Sequence, residues 1–161
     1  MSAPIITWFD SLNQTQQTSW DCGIVDAGSY SNVAEFLVWN NRSTTPGTLN
    51  TAVSDMTNVT IIPKSMNGDD TGPVASKSDA VVSVSFNNNG TWTDWQEIGG
   101  GVAANVIAAN GVVGTISGAA NTADVNTDKA NYARIRLRLF VKPTATAGQV
   151  QWITRITYNY V

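Results

Sequence analysis

Side chains suited to covalent chemistry are few in this 161-residue sequence. It has no histidine, no Gly-x-Ser-x-Gly motif and no Walker-type phosphate loop, which are common signatures of nucleophilic and phosphoryl-transfer sites. Asp94 and Glu97 are the one conceivable acid pair of a glycosidase, and the Asp69-Asp70 turn lacks the ligand spacing of a calcium loop. Cys22 has no histidine base and is expected to be a buried apolar residue. We therefore expect no catalytic residue, no metal and no cofactor.

Two tryptophans are placed for binding rather than for catalysis. Trp92 and Trp95 follow the flexible turn 87–90, so they are the candidate platform for stacking on a sugar ring. The other four tryptophans are expected to fill the core: Trp8, Trp20, Trp39 and Trp152. Large aromatic residues dominate cores and interfaces alike, so both roles stay open for Trp92 and Trp95.

A row of arginines is the clearest pattern in the chain. Within residues 133–141, apolar residues alternate with Arg134, Arg136 and Arg138, the period of a strand with one face on a core. A second strand in 150–161 is expected to pair with it as a hairpin and to add Arg155 to the row. The row is interpreted as a solvated face, an interface with an acidic or polar protein, or a nucleic-acid contact.

Charge is distributed unevenly along the sequence. Residues 129–161 carry six cations and no acid, whereas residues 1–128 carry three cations and all 12 acids, so the net charge of −3 combines +6 with −9. Such asymmetry favours contact with a complementary surface. The isoelectric point of about 4.6 argues against a dedicated nucleic-acid binder, which needs a basic surface. We expect a protein partner for Arg134, Arg136, Arg138 and Arg155.

Composition predicts a single all-β domain over residues 1–161. Only 13% of the residues are charged, and the polar remainder is rich in Asn, Thr, Ser and Gly, which suit strands and turns better than helix interiors. Strands are predicted within 33–42, 56–62 and 80–86, the first as a central strand because both of its faces are apolar. The uncharged Gly/Ala-rich segment 99–121 is predicted to be an extended loop or arm that orders against a neighbour.

Cysteine content and hydropathy indicate the cellular compartment in which the protein is made. The single cysteine excludes an internal disulfide, and the chain opens without the charged and apolar regions of a secretory signal, so we expect synthesis in a cytosol. No apolar run approaches the about 20 residues needed to span a bilayer, so we expect no membrane partner.

Two segments of the sequence resemble parts of a known class of domain. The run 20–28, with its Gly-x-Val-x-x-Gly turn, and the strand 36–42 that ends in Asn resemble the opening strands of immunoglobulin-like bacterial and viral modules. Lys142-Pro143, then Gly148 and a last strand closing on Tyr158 and Tyr160, resemble the final hairpin of the same sandwiches. The resemblance implies an immunoglobulin-like antiparallel β-sandwich.

The same segments, with an Asn/Thr/Gly-rich middle, also resemble small structural proteins that decorate the heads or tails of tailed bacteriophages. That resemblance implies a non-enzymatic virion protein, made in the host cytoplasm, that contacts the major capsid protein, another virion protein or copies of itself. We expect a position on the capsid surface. The alternative is an adhesion or carbohydrate-binding module of a tail or baseplate that uses Trp92 and Trp95.

Overall fold

The protein is an antiparallel β-sandwich of two sheets without a helix, which confirms the predicted all-β class. The computed structural model describes all residues from 1 to 161. The strands in chain order are β1 (Ile6–Asp10), β2 (Ala34–Asn40), β3 (Met56–Lys64), β4 (Ala80–Asn88), β5 (Thr91–Trp92), β6 (Gln96–Ile98), β7 (Ala104–Asn105), β8 (Thr115–Ile116), β9 (Tyr132–Val141) and β10 (Ile153–Asn159). No element is a helix long and apolar enough to span a membrane.

The first sheet has the order β1-β2-β9-β4, with β5 and β6 both paired to β4. β2 lies between β1 and β9, as predicted for a central strand. Phe36 and Val38 belong to the main core, whereas Leu37 and Trp39 belong to a smaller buried cluster on the opposite face. Because successive side chains of a strand point to opposite faces, this one strand helps to build two cores.

The second sheet is smaller and has β3 at its centre, paired with β10, β7 and β8. The predicted hairpin between 133–141 and 150–161 is wrong. β9 lies in the first sheet between β2 and β4, whereas β10 pairs with β3 in the second. Alternating apolar residues specify which face of a strand is buried, but they do not specify its partner strand. The connection from β9 to β10 therefore crosses between the sheets.

The main core between the sheets is one cluster of 18 buried hydrophobic residues. β9 contributes alternate residues to it, from Ala133 through Ile135 and Leu137 to Leu139, none more than 6% exposed. Full burial of an Ile or Leu side chain stabilises a fold by about 1.5–3 kcal/mol. This burial fixes the orientation of β9 and directs its arginines to the outer face of the first sheet.

The Gly/Ala-rich segment 99–121 lies against its own domain. β7 and β8 pair with β3, and Val106 and Ile116 are fully buried. The prediction of an extended arm that orders on a neighbour is therefore wrong. A Cβ at Gly118 would clash with the carbonyl oxygens of Val53 and Ser54, so the backbones approach more closely than a side chain allows. Small residues here serve close packing.

Buried asparagines tie this segment to the end of β2. The Asn41 side-chain amide donates to the carbonyls of Thr51 at 2.8 Å and Gly118 at 3.1 Å. Asn121 donates to the Asn41 carbonyl at 2.7 Å and accepts from the Ser43 N–H at 3.1 Å. Both asparagines are at most 4% exposed, so these bonds satisfy side-chain amides that are themselves buried.

The opening strand that the resemblance implies within 20–28 is absent. Ala27 and Gly28 form the predicted turn, but the residues before them have no strand pairing. The Gly28 N–H donates to the Val141 carbonyl at 2.8 Å, which joins the end of this irregular segment to β9.

Candidate interaction surface

The three arginines of β9 occupy the outer face of the first sheet, as the sequence predicts. Arg134, Arg136 and Arg138 are half-buried and alternate with the core residues of the strand. Their neighbours on β4 are small, because Ser85 pairs with Arg136 and Ser83 pairs with Arg138. The serines leave room above the sheet for larger side chains to cover the guanidinium groups.

Glu35 of β2 neutralises part of the row. Its two carboxylate oxygens accept from Arg134 Nη1 at 2.9 Å and from Arg136 Nε at 3.2 Å. Glu35 lies directly opposite Arg136 in the ladder between β2 and β9, so strand register determines this contact. The Glu35 side chain is 21% exposed, and Arg134 and Arg136 are 26% and 37% exposed. One carboxylate thus offsets one of two neighbouring positive charges.

Trp92 covers the second arginine of the row. The guanidinium carbon of Arg136 lies 3.8 Å from the Trp92 ring centroid, within the range of a cation–π contact. Trp92 pairs with Asn87 at the edge of the sheet, so β5 determines where the indole lies. Arg136 therefore has a carboxylate on one neighbouring strand and an aromatic face on the other side.

Arg138 contacts two aromatic rings and has no carboxylate partner. Its guanidinium carbon lies 4.1 Å from the ring centroid of Tyr30 and 4.3 Å from that of Trp95. The Arg138 Nε atom is buried and has no hydrogen-bond partner, and none of the four ion pairs in the structure includes Arg138. The Tyr30 ring in turn packs on Phe140, with centroids 4.8 Å apart. Arg138 is thus a positioned cation without a neutralising charge.

Thr93 holds the two tryptophans over the arginines. Its carbonyl accepts from the Ser85 hydroxyl at 2.6 Å, and its own hydroxyl accepts from the Phe86 N–H at 3.0 Å. The Thr93 N–H donates to the Phe86 carbonyl at 2.9 Å. These bonds bind the chain between β5 and β6 to β4 and place Trp92 and Trp95 on one side of it.

We define the arginine–aromatic face as these outward residues of the first sheet: Tyr30, Glu35, Trp92, Trp95, Arg134, Arg136 and Arg138. It joins two candidate sites that the sequence analysis treats separately, the arginine row and the tryptophan pair. Tyr30 and Glu35 were not predicted from the sequence to belong to a site. The position of Glu35 on β2, a strand correctly predicted to be central, was the available signal. It was not sufficient, because the pairing of β2 with β9 was not predicted.

Arg155 does not belong to this face. It lies on β10 in the second sheet, where its Nη1 donates to the Gly68 carbonyl at 3.3 Å. The structure brings together three of the four predicted partner-binding arginines and separates the fourth from them, because β10 is not the neighbour of β9.

The two aspartates of the turn 69–70 have structural partners. Asp69 accepts from the hydroxyls of Ser65 and Thr71, and these bonds lower the pKa of its carboxyl to about 2. Asp70 pairs with Lys64 at 2.7 Å. No group of three or more His, Cys, Asp or Glu residues is arranged to hold a metal ion. The Asp69-Asp70 turn is thus a hydrogen-bonded loop between β3 and β4.

The other three residues considered for chemistry are Asp94, Glu97 and Cys22. Glu97 pairs with Lys77 at 3.1 Å, and Asp94 is exposed. Cys22 is half-buried and packs against the main core. Burial raises the pKa of the Cys22 thiol to about 11, so the thiol stays protonated at neutral pH.

Comparison with known proteins identifies no family. No protein-family model matches the chain, and a search of curated proteins finds no significant match.

Proposed function

We propose that this protein is a non-enzymatic structural component of a tailed-bacteriophage particle that decorates or stabilises the capsid surface through protein–protein contacts. In this proposal it is an immunoglobulin-like module, and its partner is the major capsid protein or another virion protein. The phage assignment rests on the resemblance of the opening and closing segments. The arginine–aromatic face is the proposed contact surface.

One observation supports the choice of surface. Arg138 is held against Tyr30 and Trp95 and has no carboxylate within the chain. Arginine and aromatic residues are enriched in protein interfaces, and a guanidinium makes directional contacts with carboxylates. An acidic or polar partner surface would supply the partner that Arg138 lacks.

The test combines location with mutation. Particles from producing cells would be labelled by immunogold electron microscopy, and copies per particle would be counted by quantitative mass spectrometry. The double variant Arg136→Gln, Arg138→Gln should be incorporated less than the wild type. Gln is preferable to Glu at position 136, because a second carboxylate beside Glu35 would repel it and lower the stability of the fold.

Arg155→Gln is the matched control, since it removes one arginine from the other sheet. Thermal unfolding would establish that all variants are folded. Normal incorporation of the folded double variant would exclude this face as the contact. Absence of the wild-type protein from particles would contradict the virion assignment itself, and a few copies at the tail end would favour the second candidate.

The second candidate is a carbohydrate-binding or adhesion module. The observation that favours it is the support beneath the indole of Trp92, which rests on Arg136 at 3.8 Å and is thereby held in a fixed orientation. A sugar ring stacks on an exposed aromatic face. The variant Trp92→Ala, Trp95→Ala should lose binding to purified host cell-wall glycans while staying folded, and Trp152→Ala should retain it. No glycan binding by the wild type would remove this candidate.

A further inference from the structure

One side of the sandwich is closed by two segments without regular structure, residues 17–27 and 145–152. They meet at Trp20 and Trp152, whose rings pack edge to face with centroids 5.4 Å apart. From residue 18 to 25, and from 146 to 152, the backbone makes no hydrogen bond to other backbone groups. These two covering segments can therefore be displaced without breaking a backbone ladder.

A groove of about 1190 Å³ lies beneath the covering segments. Its floor is the inner face of the first sheet, with Phe36, Leu137 and Leu139 among the lining residues, and the start of β10 forms one side. Most of its lining residues are hydrophobic, so the groove leaves accessible an apolar surface of the kind that close packing normally covers. It is large enough for several side chains of another molecule.

β10 provides an unused strand edge beside the groove. β10 pairs only with β3, so the N–H and C=O groups along its other edge have no strand partner. Ile153 and Thr154 at its start also line the groove. A polypeptide backbone can satisfy such an edge, whereas a small apolar molecule cannot.

The charge of the groove is acidic. Three aspartates line it, Asp21, Asp26 and Asp79, and no lysine or arginine is among its lining residues. An occupant with basic side chains is therefore complementary to its rim.

We propose that this groove accepts an extended segment of another polypeptide, which adds as a strand to the free edge of β10 and alternates apolar with basic side chains. The apolar side chains fill the groove and the basic ones meet the aspartates. The occupant is a different protein rather than a second copy of this chain. The one stretch here with that alternation is β9, which is held between β2 and β4. The site is independent of the arginine–aromatic face.

The test uses synthetic peptides of about ten residues, the length of a typical strand. A peptide of alternating Val and Lys should bind about tenfold more tightly than one of alternating Val and Glu at low salt, since it places cations against the aspartates. Hydrogen exchange should show new protection within 153–159. A Val/Lys peptide with N-methylated backbone should lose binding, because it cannot pair with a strand.

Variants of the rim provide a second measurement that leaves the core intact. Asp26→Asn with Asp79→Asn should reduce the preference for the Val/Lys peptide, whereas Asp94→Asn, exposed and outside the groove, should leave it unchanged. Equal binding of both peptides, equal binding of the N-methylated peptide, or the absence of new protection in β10 would overturn the proposal. Protection of β10 that rises with the concentration of the protein alone would also overturn it, since a second copy would then be the occupant.

Discussion

The guanidinium carbon of Arg138 lies 4.3 Å from the ring centroid of Trp95, although 43 positions separate the two residues in the sequence. This contact makes the arginine row and the tryptophan pair one surface. A substitution of either tryptophan therefore changes the environment of an arginine as well. Binding can therefore be assigned to the aromatic residues or to the charges only by comparing single and double variants of the two groups.

We expect Arg138 and Trp95 to be energetically coupled. A double-mutant cycle with Arg138→Met and Trp95→Ala, measured by urea unfolding, should give a coupling free energy of about 1 kcal/mol, typical of a partly desolvated cation–π pair. The cycle of Arg155→Met with Trp95→Ala should give no coupling, because Arg155 is on the other sheet. Equal coupling in the two cycles would contradict the contact.

Glu35→Gln is expected to destabilise the fold by about 1 kcal/mol, since it removes two half-buried ion pairs and leaves Arg134 and Arg136 to repel each other. Added salt should reduce the loss. The matched control is Glu97→Gln, which breaks one ion pair of a 64% exposed carboxylate and should cost less than about 0.5 kcal/mol. Chemical denaturation at low and high salt measures both, and a larger loss in the control would be inconsistent with this account.

Asn121→Ala should be among the more damaging polar substitutions, at about 3 kcal/mol. It removes the oxygen that accepts from the Ser43 N–H and the Ala123 N–H, and leaves both of these backbone groups buried without partners. The Asn41 carbonyl loses one donor but keeps the Asn50 side-chain amide at 2.7 Å. Asn126→Ala, at an exposed position, is the control and should cost less than about 0.5 kcal/mol. Similar unfolding midpoints for the two variants would show that the buried network contributes little.

The Cys22 thiol should make stability fall at alkaline pH. Burial raises its pKa from the ordinary 9.0 to about 11 in the folded protein, so the folded state holds this proton more tightly than the unfolded chain. The stabilisation of the folded state by the protonated thiol is complete below pH 9.0 and is lost as the pH rises towards about 11. The free energy of unfolding should decrease more steeply in this window for the wild type than for Cys22→Ala.

The rate of alkylation by iodoacetamide measures the ionisation of the Cys22 thiol, because only the thiolate reacts. The rate for the folded protein should rise with a midpoint near pH 11, whereas the urea-unfolded chain should show a midpoint near 9.0. A folded-state midpoint near 9.0 would mean that the thiol is not desolvated.

Local patterns in the sequence were enough to predict the class of the fold and the direction of particular side chains. The alternation in β9 correctly predicts that Arg134, Arg136 and Arg138 share the outer face, because side-chain direction in a strand depends on period alone. The two apolar faces of β2 correctly predict its central position. Both inferences require only information within one strand.

Tertiary structure decided which strands are neighbours and what covers each face. The separation of Arg155 from the row, the pairing of Glu35 with two arginines and the contact of Trp95 with Arg138 all depend on strand order. The segment 99–121 has the composition of a flexible loop. Its pairing with β3 and the close packing at Gly118 order it on its own domain. Strand pairing and close packing join residues distant in the chain, and single-sequence periodicity carries no signal for either.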